Sequence, residues 1–240
     1  MFVNYRYNKY KIILVVIIVA QLIQNLQFFI FEASVADICM CDVLLFRSRG
    51  IQRFIFQCIP LFVWDYYEYE RMQRPVYMIR YVDIKYINKK MWYKHIFMFM
   101  IITIFDFLDS YVLALLNNLP LINWNSAKSK FFLEYMTTVE DSAWMVITRW
   151  LFMQFFFSIV FWLMECIYFM LSKGKLPILF LLCMIIILMI DRIPIYYLLL
   201  FQSTNLARAV INDGYYWKAG IFFLVCLGGY MFVKKCNEKK

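Results

Sequence analysis

The chain has 240 residues, 64% of them hydrophobic and 17% charged, against about 45–50% and about 25% in soluble domains, which excludes an ordinary soluble enzyme. At roughly 20 residues per spanning helix, the length allows about six spans and leaves no room for a separate soluble catalytic domain. The net charge of +9 belongs with lipid headgroups and the positive-inside bias rather than with nucleic acid.

The expected fold is therefore all-α: a polytopic membrane protein in which residues 1–240 form a single transmembrane domain, with spans at about 12–31, 51–66, 96–116, 143–171, 176–190 and 215–233. Phe, Ile, Tyr, Lys, Met and Asn are plentiful and Ala is scarce, the composition of an AT-rich bacterial genome. The seven Cys are scattered. Cys39 and Cys41 are too close in the chain for an unstrained disulfide, and two thiols alone do not make a tetrahedral metal site.

The first span follows Arg6, Lys9 and Lys11. Gln21, Gln24 and Asn25 share one face by their i, i+3, i+4 spacing. Ser34-Val35-Ala36 looks like a signal-peptide cleavage site, but Ala36 lies far beyond the clean run that ends at Ala20, and Phe28-Phe-Ile-Phe31 resumes the apolar pattern. An uncleaved helix is expected. The second stretch carries Arg53, Gln57 and Pro60 and is the weakest span; its start lies near residue 51 or earlier, around Asp42 to Phe46.

Residues 66–95 hold seven of the 25 Lys and Arg, among eight aromatics. This segment has two readings. Its cations anchor the chain to anionic lipid, with Trp92 and Tyr93 in an aromatic belt; or residues 83–96 form a short interfacial helix that docks on a soluble partner. With a cytoplasmic amino terminus, the segments before the first span, at 66–95, at Lys173 and Lys175, and from Lys234 to Lys240 together hold 16 of the 25 cations. Six spans with both termini inside satisfy the positive-inside bias.

Asp106 and Asp109 share a face of the third span, and Glu165 lies in the fourth, nearer the inner surface. Asp109 lies roughly 20 Å from Ile96, and Arg192 roughly 24 Å from Leu176, at 1.5 Å per residue, so an Asp109–Arg192 ion pair is expected. Gln21, Gln24, Asn25, Asp106, Asp109, Glu165 and Arg192 are then either polar glue between helices or a polar path for substrate. Residues 191–214 stay apolar but are broken by Asp191, Arg192 and Pro194; they read as a partly inserted outer re-entrant hairpin.

No phosphate-binding Gly-rich loop is present: Lys173-Gly-Lys175 and Leu227-Gly-Gly229 have the wrong spacing. His95, the single His, reads as an interfacial side chain at the start of the third span, with no cluster of ligand spacing around it in the sequence. No metal, cofactor or catalytic residue is expected. Asp106 and Asp109 share one helix, whereas an aspartyl protease needs carboxylates facing each other.

Glu68, Glu70, Ile79-Arg-Tyr81 and Asn88-Lys-Lys-Met-Trp-Tyr-Lys94, with Phe201-Gln-Ser-Thr-Asn-Leu-Ala-Arg208 and Lys234-Lys235, resemble the ABC-2-type permease-like membrane proteins of Gram-positive bacteria, found with bacteriocin or lantibiotic transport and immunity. The resemblance implies a six-helix permease subunit in the bacterial cell membrane, paired with itself or a related subunit. It implies a coupling helix at 84–95 (Ile84, Lys85, Tyr86, Lys89, Lys90, Trp92, Tyr93, Lys94) contacting a separate ATP-binding cassette subunit. The second span is shorter than in that family and the basic loop lacks the usual Gly. The alternative is a non-transporting scaffold or immunity protein that binds a toxin or sensor partner.

Overall fold

The computed structural model describes residues 2–31, 37–72, 84–172, 177–190, 206–211 and 215–238. Every regular element among them is a helix. In chain order these are α1 (Phe2–Phe31), α2 (Met40–Arg47), α3 (Gly50–Arg53), a π-helical turn (Phe54–Cys58), α4 (Ile59–Met72), α5 (Ile84–Leu116), α6 (Lys130–Tyr135), α7 (Ala143–Ser172), α8 (Pro177–Ile190), α9 (Leu206–Ile211) and α10 (Tyr215–Glu238). Two of them, α5 from Lys89 onward and α7, are long and apolar enough to cross a membrane.

Side-chain pairs set the helix directions. Gln21 meets Asp106, Asn25 meets Asp109, and Phe28 clusters with Leu113, so α1 and α5 run parallel. Gln57 meets Asp106, Asp65 meets His95 and Glu68 meets Lys94, so α4 and the turn before it run opposite to α5. Ser158 lies at His95 and Trp150 at Phe107, which makes α7 antiparallel to α5 as well. Soon after α7 ends, Phe180 packs on Tyr168 and Phe161, so α8 doubles back along α7. Phe223 on Phe156 and Tyr230 on Trp162 set α10 parallel to α7.

Three boundaries differ from expectation. The basic leader before residue 12 is already helical and belongs to α1. The weak second stretch is helical from Gly50 to Met72, with the π turn just before Pro60. Proline has no N–H for the preceding turn and its ring crowds the carbonyl four residues back; the wider turn, closed by Ile59 N–H to the Phe54 carbonyl, accommodates both. Third, the short interfacial helix expected at 83–96 is not a separate element. Residues 84–95 are the first three turns of the unbroken 33-residue α5.

At the Leu116 end, α2, α6, α9 and the connection from 117 to 142 form a cap. Trp124 stacks on Phe131 at 4.1 Å and donates its indole N–H to Asp42 at 2.8 Å. Asp42 also accepts from Cys39 N at 2.9 Å, closing the first turn of α2. The Met40 and Cys41 amides bond to the carbonyls of Pro120 and Leu121. Of the expected hairpin at 191–214, the described part is α9, whose Leu206, Ala207 and Ala209 are buried; the rest lies outside the described residues, as do Ser34 to Ala36.

Candidate functional site

One face of α5 carries His95, Thr103, Asp106 and Ser110, all buried. His95 and Asp106 are eleven residues apart, three helical turns, so they share that face about 16 Å apart. A polar centre surrounds each of them.

The first centre is built on Arg47, whose side chain is 0% exposed. Its guanidinium lies 3.1 Å from Asp106 and 2.5 Å from Asp109, and it also donates to the side-chain oxygens of Gln21 and Asn25. Gln21 and Gln57 donate to Asp106 at 2.5 and 2.6 Å, and Asn25 to Asp109 at 2.7 Å. The planar fork of Arg suits two carboxylates at once. Its cation answers one of two acidic charges, and the amides supply hydrogen bonds to both. Four segments, α1, α2, the π turn and α5, are tied together here.

The second centre joins α4, α5 and α7. His95, 0% exposed, places Nδ1 at 2.5 Å from Asp65 Oδ2 and 3.5 Å from Glu165 Oε2. Its Nε2 lies 3.2 Å from the Ser158 carbonyl oxygen and 3.1 Å from Ser158 Oγ. A carbonyl only accepts, so Nε2 carries the hydrogen and Nδ1 faces the two carboxylates. Trp92 stacks along the imidazole at 6.2 Å and meets Trp162 edge-on at 4.6 Å. Rather than standing on an outer surface at the start of the span, the His95 ring is buried between α4, α5 and α7, three turns after α5 begins. The absence of a ligand cluster around it is corrected too, since one donor atom from each of Asp65, His95 and Glu165 lies within 4.8 Å of the others.

Of the residues singled out in the sequence, Gln21, Asn25, Asp106 and Asp109 meet at the first centre and Glu165 belongs to the second. Gln24 instead donates to Gln52 at 3.4 Å. Asp109 takes Arg47 as its cation; Arg192 lies outside the described residues. On α5, Lys94 pairs with Glu68, Trp92 is turned inward, and Lys89 lies over the exposed Tyr93 ring at 5.9 Å. Lys90 is half-buried. The side chains of Ile84, Lys85 and Tyr86 lie outside the described residues. Sequence reasoning missed Arg47, which reads as a loop charge, and the Asp65–His95 contact, although both residues border strongly apolar runs.

Comparison of the chain with protein-family models, with characterised proteins and with solved structures finds no match.

Proposed function

We propose that this chain is the membrane-spanning permease subunit of an ABC-type exporter in a bacterial cell membrane, moving a bacteriocin-like peptide or a lipid with energy from a separate ATPase. The observation that carries the reading is the pair of buried charged centres on one face of α5, within a bundle whose outer surface is apolar: Leu26, Phe97, Ile104, Leu108, Phe155 and Leu224 are all exposed. Ionisable groups inside a membrane bundle are costly and mark substrate or ion paths. A six-span topology with both termini in the cytoplasm agrees with helix directions that alternate through α1, α4, α5, α7, α8 and α10.

In this reading the basic start of α5 meets the partner ATPase. Because α5 is unbroken from Ile84 to Leu116, a push on its first turns would reach both polar centres directly. Lys89 and Tyr93 face outward and offer the docking surface, whereas Trp92 packs inside. A second copy, or a related permease subunit, would complete the transporter. The scaffold or immunity reading has one observation in its favour: the Arg47 centre binds its groups mainly to each other, as a static tie between helices would.

Pull-down of detergent-extracted chain with identification of the bound ATPase tests the proposal. K89E combined with Y93A should strip the ATPase while leaving the membrane protein folded; W92A should reduce folded protein instead. If the unaltered chain captures no ATPase, the transporter reading fails and the scaffold stands.

A further inference from the structure

We propose that Asp65, His95 and Glu165 form a binding site for a divalent first-row transition-metal ion, clamping α4, α5 and α7 together. The inference is independent of the transport reading. Three separate helices deliver one imidazole nitrogen and two carboxylates to one buried point, a donor set that suits Zn2+, Mn2+ or Fe2+. His95 is already oriented as a ligand: Nε2–H is held by the Ser158 carbonyl and hydroxyl at 3.2 and 3.1 Å, which turns Nδ1 toward both acids. Such an outer hydrogen bond to the second ring nitrogen is the usual support of a metal-bound imidazole.

Glu165 supplies an independent observation. It is 1% exposed and, among the described residues, neither of its carboxyl oxygens has a hydrogen-bond partner. An acid buried with no well-formed hydrogen bond is unfavourable whether ionised or protonated. Its Oε2 points at His95 Nδ1 from 3.5 Å, a separation that two ligands of one ion adopt when each bond is about 2.0–2.2 Å, whereas Asp65 Oδ2, at hydrogen-bond distance of 2.5 Å from Nδ1, has to draw back for the ion to enter. Charge agrees as well. Two carboxylates and a neutral imidazole sum to −2, which a divalent ion cancels, and because the ligands must be deprotonated, binding releases any protons the triad holds.

The test uses the full chain in detergent micelles, stripped with a chelator and titrated with Zn2+. One zinc per chain should be retained through desalting, the melting temperature should rise with zinc, and X-ray absorption should show one imidazole with oxygen donors at about 2.0–2.2 Å. E165Q and H95N should each weaken retention by more than the about 10- to 100-fold that loss of a supporting hydrogen bond costs. E165Q removes no hydrogen bond seen among the described residues, so its zinc-free form should stay folded; should H95N fail to fold, E165Q and the absorption spectrum decide alone. The proposal is overturned if the unaltered chain takes up no saturating zinc, leaving the triad a proton site, or if E165Q retains zinc like the unaltered chain. Sulfur scattering at about 2.3 Å would overturn it too, moving the ion to a cysteine.

Discussion

Arg47 shows how much can rest on a single side chain inside an apolar bundle. Removing it strands Asp106, 1% exposed, and Asp109, 25% exposed, without their cation. Breaking a buried pair from one side costs about 3–5 kcal/mol, so R47A should sharply lower the yield and melting temperature of extracted protein. R47K should recover little, since an ammonium cannot fork between two carboxylates. D109N should be milder than D106N because Asp109 is the less buried of the two; equal losses would contradict this arrangement. In the cap, burial raises the Asp42 carboxyl above its ordinary value, and hydrogen bonds from Cys39 and Trp124 pull it only partly back. Folding therefore favours the protonated form. That contribution is fully present below the unfolded pKa and is lost as pH rises through the folded one. The melting temperature relative to D42N should fall as pH climbs above about 4, and a difference that stays flat with pH would argue against it.

Among the elements, α5 departs most from what its residues suggest alone. Lys85, Lys89, Lys90 and Lys94 read as headgroup-level charges, yet an α-helix needs only its own backbone hydrogen bonds to continue through them. At 33 residues and 1.5 Å each, α5 is about 50 Å long, well beyond a hydrocarbon core of about 30 Å. A proline at a joint between two helices is tolerated, whereas one inside a helix costs about 3 kcal/mol. I96P therefore distinguishes a joint at the expected boundary from a continuous rod, and should markedly reduce folded protein. Expression and melting like the unaltered chain would point to a joint. The π turn before Pro60 has a second consequence. It carries Gln57, which donates to Asp106 at 2.6 Å, so an irregularity forced by proline also supplies part of the polar centre.

For the whole molecule, the alternating helix directions make an accessibility prediction. Cys236 is exposed near the end of α10, and Lys128 lies exposed in the cap at the opposite end of the bundle. In intact cells a membrane-impermeant maleimide should label K128C and leave Cys236 untouched until the membrane is opened. Labelling of both from one side would exclude the six-span arrangement. Much of the helical layout was legible beforehand: 143–171, 176–190 and 215–233 lie close to α7, α8 and α10, because an apolar run closed by charge or proline is a local signal. The polar residues of α1 and α5 also stood out, since each interrupts such a run. Their partners did not. Arg47 lies 59 residues from Asp106 and His95 lies 30 from Asp65, separations with no period to read and no shared motif. Composition and periodicity determined an all-helical chain with apolar helices long enough to cross a membrane, whereas packing alone decided which charges meet, because a buried ion finds its partner through space and not along the chain.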